Sequence, residues 1–230
     1  MIKLEMHLHS VGGSECAKET PETIIEIYKK AGYGGIVLTN HYGENHFQLH
    51  AGESKKEKID GFCALYKDFK QKANAVGLKT FFGAEVTAFD PEGYFSEYLL
   101  YGLTEEILYN APYLHHLTQR QLFDFANSNG LFMAQSHPFR KWVKCGFYDL
   151  IHGVESYNGH TYHDNNNEVA FAYANAFGKK MISGTDFHVK SQTPVGGILL
   201  PDGIETDSDL AEYLLNNQPT LIIDGKIQGE

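Results

Sequence analysis

Short apolar runs alternate with helical segments along the whole chain, and this alternation limits the possible folds more than any other feature. Residues 35–39 and 131–136 are rich in branched or aromatic side chains and are short enough to be buried strands. The segments between such runs have apolar residues at helical spacing, and Thr20 and Thr118 are placed to cap helices. Strands that alternate with helices form parallel βαβ units, so the chain is predicted to be an α/β protein.

Histidine or a carboxylate follows most of the predicted strands. The residues in question are His7, His9, His41, Glu85, His137, Asp186 and His188. The first two, separated by one residue, would project from the same side of a strand. In a barrel the carboxyl ends of the strands converge at one mouth, whereas an open sheet would spread these side chains along a line. The pattern therefore favours a barrel with a metal site at its mouth.

Length and charge narrow the class of protein. A chain of 230 residues fits one domain, which we assign to 1–230, and it can bury a core without disulfides. The formal net charge is −10, and the only arginines are Arg120 and Arg140. No stripe of basic and aromatic residues is present, so extended nucleic-acid binding is not expected.

The cysteines and the hydropathy pattern predict a cytoplasmic location. Cys16, Cys63 and Cys145 are isolated and odd in number, which argues against a disulfide framework and against a cysteine zinc site. No apolar run is as long as a transmembrane helix, so no membrane partner is expected. The oligomeric state is left open.

Known nucleotide-binding and serine-hydrolase motifs are missing from the sequence. Gly12 and Gly13 do not make a Walker or dinucleotide-binding loop. Ser10 and Ser136 lack the G-x-S-x-G elbow of serine hydrolases. Neither a nucleotide cofactor nor a serine nucleophile is therefore implied.

Five motifs together resemble the polymerase-and-histidinol-phosphatase (PHP) family of metal-dependent phosphoesterases, and the resemblance covers nearly the whole chain. They are His7-Leu8-His9, Thr39-Asn40-His41, Gly83-Ala84-Glu85, Ser136-His137-Pro138 and Gly184-Thr185-Asp186-Phe187-His188. The fold that the resemblance implies is a distorted (β/α)7 TIM-like barrel in a single domain. Asn40 stands where the family usually has Asp, a change that could alter the support of His41.

The resemblance also implies a cluster of two or three divalent metal ions. The first ion would be held by His7, His9, Glu85 and Asp186, the second by Glu85 and His137, and the third by His41, His188 and Glu15. Imidazole and carboxylate ligands suit zinc, manganese or iron, so the identity of the metal stays open. Tyr98 stands where the family commonly offers a histidine to the second ion. That ion is then weak or absent, or it recruits Glu97, His115 or His116.

The function implied is hydrolysis of a small phosphate monoester by a metal-bridging hydroxide at the barrel mouth. Arg140 and Lys141 would bind the phosphate oxygens, and Asp186 or His188 would assist proton transfer. Asn158 is a candidate substrate contact, as are Glu155, His160 and His163, although a polar loop explains these residues equally well. Two other classes stay open: an amidohydrolase-type barrel that cleaves C–N bonds, and a non-catalytic or regulatory metal-binding barrel.

The remaining histidines and several phenylalanines are predicted to have structural roles only. His46, His50 and His152 are predicted to be surface or lid histidines. Phe62, Phe69, Phe125 and Phe171 recur at helical spacing and are predicted to belong to the core.

Overall fold

The computed structural model describes residues 1–45, 52–89 and 95–229. His46, His50 and the turn predicted at 90–93 lie outside the described residues. The strands are β1 (Ile2–Glu5), β2 (Gly35–Leu38), β3 (His41–Tyr42), β4 (Lys79–Thr87), β5 (Glu97–Tyr101), β6 (Phe132–Gln135), β7 (Gly153–Asn158), β8 (Lys180–Gly184), β9 (Gly197–Leu200), β10 (Thr220–Ile223) and β11 (Lys226–Ile227). The α-helices are α1 (Pro21–Lys30), α2 (Lys55–Asn74), α3 (Glu105–Asn110), α4 (Gln119–Ser128), α5 (Asn167–Ala176) and α6 (Asp207–Asn216), with 3₁₀ turns at Leu114–His116 and Tyr148–Leu150.

One curled mixed sheet carries all these strands. Its order is β11-β10-β9-β1-β2-β4-β5-β6-β7-β8, and β3 pairs separately with β4. The curl brings the segment after β1 to the segment after β8, where Leu8 pairs with Phe187 and the His9 N–H donates to the Phe187 carbonyl at 3.0 Å. We call this junction the seam. The fold is consistent with the predicted TIM-like barrel.

The strand directions depart from seven regular β/α units. β5 is antiparallel to both β4 and β6, and β9 is antiparallel to β1. The β4–β5 pair includes Glu85 opposite Leu99 and Val86 opposite Tyr98. The two strands are joined by a connection of nine residues, 88–96, which is shorter than the parallel crossovers elsewhere in the sheet.

Helix starts follow the local sequence. The Thr20 hydroxyl accepts from the Thr23 N–H and Pro21 opens α1, while Ser54 and Thr118 form capping boxes at α2 and α4. These caps satisfy backbone N–H groups that have no partner inside the helix. The predicted starts of α1 and α4 are confirmed.

The core lies on both faces of the curled sheet. Along β5, Leu99 and Tyr101 belong to an inner cluster, whereas Tyr98 and Leu100 pack in the outer cluster under the helices. Leu210 and Leu214 of α6 join the inner cluster, so α6 closes the barrel at the end opposite the carboxyl ends of the parallel strands.

One core assignment was wrong. Phe62 and Phe69 are buried and Phe125 packs at the edge of the core, but Phe171 is 46% exposed. α5 buries the small side chains of Ala170 and Ala174, and Phe171, one residue from Ala170, lies on a different face of the helix. No helix in the described ranges has both the length and the apolar character to cross a bilayer.

Candidate metal centre

The mouth of the barrel gathers histidines and carboxylates from distant parts of the chain. The structure brings together His7, His9, His41, Glu85, His137, Asp186 and His188, all of them buried except the partly exposed His41. Each follows a strand or lies near the carboxyl end of one, as the sequence predicted. We call these seven side chains the main cluster.

Four side chains of the main cluster converge on one point. His7 Nε2 lies 3.0 Å from His9 Nε2, 3.3 Å from Glu85 Oε1 and 3.5 Å from Asp186 Oδ1. His9 Nε2 lies 3.4 Å from Glu85 Oε2 and 3.4 Å from Asp186 Oδ1. Ligands at about 2.0–2.1 Å from a tetrahedral ion are about 3.3 Å apart. The separations therefore fit a divalent metal.

Glu85 is shared with the other histidines. Its Oε2 is 3.0 Å from His41 Nδ1, and its Oε1 is 3.0 Å from His137 Nε2. The His9 ring centroid lies 4.3 Å from that of His41 and 4.4 Å from that of His188, and the three imidazoles have nitrogen atoms within 4.8 Å of one another. A carboxylate between two groups of imidazoles can bridge two metal ions.

Glu97, and not Tyr98, is the β5 residue at this centre. Its Oε2 is 3.5 Å from His137 Nε2 and its Oε1 is 3.7 Å from His41 Nδ1. Side chains alternate faces along a strand, so Tyr98 points into the outer core, where its hydroxyl lies close to Gly146. Of the candidates that the sequence offered for a second ion, Glu97 is the one that reaches the main cluster. His115 and His116, the other candidates, lie elsewhere.

The loop after β1 contributes Cys16 where Glu15 was predicted. Cys16 Sγ lies 3.5 Å from His41 Nε2, and Glu15 is exposed beside it. Burial raises the pKa of the Cys16 thiol, but hydrogen bonds with His188 and His41 outweigh burial and lower the pKa to about 6. A thiolate at this position would be a soft metal ligand, which the spacing of the cysteines had argued against.

Glu155 orients two of the histidines, a role that the sequence did not assign. The His7 Nδ1–H donates to Glu155 Oε1 at 2.9 Å, which leaves the His7 Nε2 lone pair for the centre. Glu155 Oε2 accepts from the backbone N–H of His137 at 2.9 Å. Ser14 Oγ is 3.0 Å from His9 Nδ1 and supports that ring in the same way. The signal in the sequence was a carboxylate within a buried strand.

Glu5 is a second buried carboxylate without a predicted role. Its Oε1 accepts from the N–H groups of His7 at 2.9 Å and Thr185 at 2.8 Å, and its Oε2 accepts from the Tyr28 hydroxyl at 2.8 Å. Burial raises its pKa to about 7, against the lowering effect of these hydrogen bonds. Glu5 therefore ties the segment after β1 to the end of β8 directly below the main cluster.

The backbone is strained at two of the candidate ligands. His137 has φ = 27° and Asp186 has φ = 54°, both in the left-handed region. At the end of β8, a Cβ on Gly184 would lie 2.4 Å from the His7 Cβ, so only glycine fits there. Asn40 holds the loop after β1, since its Oδ1 accepts from the Ser10 N–H at 2.8 Å. Such strain persists only where surrounding contacts impose it, often at functional sites.

Of the residues predicted to bind substrate, Arg140 and Asn158 are hydrogen-bonded to each other beside the main cluster, and Lys141 is exposed. Arg140 Nη2 donates to Asp186 Oδ2 at 2.7 Å and to Asn158 Oδ1 at 3.1 Å, and its Nε donates to Asn165 Oδ1 at 2.8 Å. None of these contacts uses Nη1. Asn158 is buried and supports Arg140, whereas Lys141 is exposed, with its Nζ 4.5 Å from the centre of the Trp142 ring.

A cavity of about 440 Å³ opens over the main cluster. The main cluster forms its floor through His41, Glu85, His137, Asp186 and His188. The walls include Phe95, Arg140, Trp142, His160, Tyr162 and His163. His160 and His163, whose rings stack with centroids 4.6 Å apart, thus reach the site, as one of the two interpretations expected. The volume suits a small molecule.

The electrostatics of the cluster favour a cation. Burial lowers the pKa of His7, but Glu155, Glu85 and Asp186 outweigh it and raise the pKa well above the ordinary value. For His9, burial and then the charges of His41 and His188 lower the pKa well below that value. Buried carboxylates this close together need positive charge among them. A proton on His7 would supply such charge, and a divalent metal ion would supply more. The donor set and its spacing thus fit a divalent metal in place of the proton on His7.

No model of a known protein family matches the sequence, and comparison with curated proteins gives no match either. Solved structures do match. A two-domain protein from Bacteroides vulgatus, described as containing a predicted PHP-like metal-dependent phosphoesterase, has a TM-score of 0.65 at 17% identity, over 98% of this chain and 66% of that one. This chain thus spans just under two thirds of that protein.

Two other solved structures share the architecture. A lesion-specific endonuclease from Pyrococcus furiosus, PfuEndoQ, gives a TM-score of 0.60 at 13% identity, over 96% of this chain and 57% of that one. An amidohydrolase from Chromobacterium violaceum, solved with bound sulfate and no metal, gives a TM-score of 0.59 at 13% identity. The match covers 96% of this chain and 98% of that one. At these identities the likeness establishes the fold. The fold is that of the PHP-like metal-dependent phosphoesterases, which confirms the predicted resemblance.

Proposed function

We propose that this protein is a metal-dependent hydrolase of small phosphate monoesters. The observation that carries the proposal is the convergence of His7, His9, Glu85 and Asp186 with separations of 3.0–3.5 Å under a small cavity. Divalent ions held there would lower the pKa of water and neutralise the charge of phosphate oxygens. Zinc, manganese and iron are all compatible with the donors.

The remaining ligands extend the centre to two or three ions in this proposal. Glu85 would be shared with a second ligand set, which His137 and Glu97 would complete. His41, His188 and Cys16 make the third, with Cys16 in the place first given to Glu15. The shared contacts of Glu85 with His41 and His137, both at 3.0 Å, support this division.

Arg140 has two roles in the proposal. Its Nη2 holds Asp186 in position, and its Nη1, which none of the contacts above uses, binds a phosphate oxygen at the cavity. Proton transfer falls to His188 in the two-ion form of the centre, where this imidazole is not a ligand. It does not fall to Asp186, because Asp186 Oδ2 already accepts from Arg140 and Oδ1 faces His7 and His9. Lys141, exposed at the rim, adds positive potential for an anionic substrate.

The size of the cavity and the charge of the chain favour a small substrate. The cavity of about 440 Å³ holds a metabolite-sized molecule, and a chain of formal net charge −10 does not attract a long polyanion. C–N hydrolysis is the competing activity, and it needs the same metals but no phosphate-binding cation. The interactions of Arg140 favour the phosphate ester.

The test is a panel of small phosphate monoesters and N-acyl compounds, assayed with protein loaded separately with zinc, manganese or iron. Release of phosphate that falls at least about 100-fold in His9→Ala supports the proposal, because loss of a ligand removes the metal. Arg140→Lys should raise KM for the phosphate ester. Bound metal without phosphate release under any of the three ions would contradict the proposal, and selective turnover of the N-acyl compounds would replace it.

A further inference from the structure

A second group of metal-binding side chains lies apart from the main cluster. Glu44, in the segment after β3, meets His115 and His116 of the 3₁₀ turn. His115 Nε2 lies 3.2 Å from Glu44 Oε2, and His116 Nε2 lies 3.6 Å from the same oxygen. We call these three residues the Glu44 site.

The spacing of these atoms fits a metal site. The two separations bracket the distance of about 3.3 Å expected between ligands of a tetrahedral ion. The three ligand atoms all lie within 4.8 Å of one another. A buried imidazolium is costly, and His115 is only 7% exposed, so its ring is expected to be neutral and able to bind a metal. One carboxylate and two imidazoles are a donor set that zinc commonly uses.

The two imidazoles are held in place without help from Glu44. The 3₁₀ turn is fixed by hydrogen bonds from the His116 N–H to the Tyr113 carbonyl at 3.0 Å and from the Leu117 N–H to the Leu114 carbonyl at 3.1 Å. The Tyr113 ring packs against both histidine rings, with centroids 5.3 Å apart in each case. The ordering entropy of two ligands has therefore been lost before a metal arrives, which favours binding.

Glu44 links the Glu44 site to the mouth of the barrel. It lies three residues after His41, and the intervening Tyr42 packs on His115 with ring centroids 5.7 Å apart. Residues 43–45 line a second cavity of about 450 Å³, which shares Cys16, His41 and Glu97 with the cavity over the main cluster. A cation bound by Glu44 and the 3₁₀ turn would fix this wall of the cavity.

We propose that Glu44, His115 and His116 bind a zinc-type divalent cation separate from the main cluster, and that this cation anchors the wall formed by residues 43–45. The inference does not depend on the reaction catalysed, since it concerns an additional ion outside the main cluster. Its open coordination positions are filled by water, because His116 and Glu44 are exposed.

The experiment measures zinc content. The full chain is stripped of metal, equilibrated by dialysis with micromolar zinc, and assayed for bound zinc per chain. Glu44→Gln and His116→Ala, both at exposed positions where folding is not at risk, are expected to bind one zinc fewer than the wild type. Glu106→Gln, an exposed glutamate on α3, is the matched control and should keep the wild-type number.

The same variants in a His9→Ala background separate this site from the main cluster. That background lowers the zinc content through the main cluster, and a further loss of one zinc on adding His116→Ala is expected. Wild-type zinc content in both Glu44→Gln and His116→Ala would overturn the inference, whatever the result of the phosphatase panel. Where turnover is measurable, a rise in KM with little change in kcat is expected for His116→Ala. An unchanged KM would overturn the anchoring part.

Discussion

At the scale of single residues, alternation along β5 decides which side chain reaches the metal centre. A shift of one residue in a strand exchanges the two faces, so a ligand position inferred from motif order is uncertain by one position. The loop after β1 is irregular, and there the predicted position differs by one residue from the observed one, since Cys16 and not Glu15 contacts His41. The strand-end histidines and acids were predictable because each follows an apolar run. The choice of Glu97 among the three candidates for the second ion, and the role of Cys16, became clear only when the neighbouring strands were in place.

Glu97→Gln and Tyr98→Phe test this assignment directly. We expect Glu97→Gln to lower metal content by about one ion and activity by at least about 100-fold, because a carboxamide is a weak metal ligand. Tyr98→Phe should leave both unchanged, since the ring stays in the outer core. Metal analysis and steady-state kinetics on the two variants give the comparison. The opposite order of effects would contradict the assignment of Glu97 and make Tyr98 the ligand.

Cys16 is testable with cobalt as a spectroscopic substitute for zinc. Cobalt bound to a thiolate absorbs in the near ultraviolet, and a thiol whose pKa is about 6 is mostly ionised at neutral pH. We expect this absorption in the cobalt-loaded wild type and in Cys145→Ser, and its loss in Cys16→Ser. Retention of the band in Cys16→Ser would exclude the thiol as a ligand.

At the scale of elements, most helices and strands followed from caps and apolar periodicity, but their directions did not. Alternating strands and helices predict parallel pairs, and the antiparallel β5 is set by long-range pairing with β4 and β6 that the local sequence does not show. His152 illustrates the same limit. Predicted as a surface or lid residue, it is partly buried between β6 and α4, where its Nδ1 accepts from the Met133 N–H at 3.0 Å and its Nε2 contacts Asn127 Oδ1 at 3.1 Å.

His152 gives these two elements a dependence on pH. Burial, with a smaller effect of Lys179, lowers its pKa from 6.5 to about 4. The unfolded chain then binds the proton more readily, so the stability that His152 contributes is complete above pH 6.5 and is lost as the pH falls toward 4. Gln at this position keeps an acceptor for Met133 and does not titrate.

Urea unfolding of the wild type and His152→Gln at several pH values measures this effect. We expect the free energy of unfolding of the wild type, relative to the variant, to decrease steadily from pH 6.5 to pH 4.5. The difference between the two proteins cancels the pH dependence of the metal cluster. A difference that stays constant over this range would show that His152 does not titrate in the folded protein as stated.

At the scale of the whole molecule, the main cluster joins elements that meet only when the sheet has curled. His7 and His9 come from one side of the seam, and Asp186 and His188 come from the other. Direct links across the seam include the Leu8–Phe187 pair, the hydrogen bond of Glu5 with Thr185, and the hydrogen bonds that Phe187 makes with His7 and His9. Bound metal adds ligand bonds across it, and its binding energy is then also folding energy.

Removal of metal should therefore destabilise the whole fold. A ligand present at a thousand times its Kd adds about 4 kcal/mol to the free energy of unfolding, which for a chain of this length raises Tm by about 8–16 °C. We expect a fall of this size when a chelator is added to metal-loaded protein, recovery when zinc is restored, and a much smaller change in His9→Ala. Melting curves that coincide with and without chelator would contradict the role of the seam.

The seam also bears on how the protein is made. Glu5 and Thr185 are 180 positions apart in the chain, so the two sides of the seam can meet only after the segment that follows β8 has been translated. Until then His7 and His9 lack Asp186, and the ligand set for the first ion is incomplete. Binding of the first ion by all four ligands accordingly follows translation of Asp186, and a shorter nascent chain cannot carry out chemistry that depends on this centre.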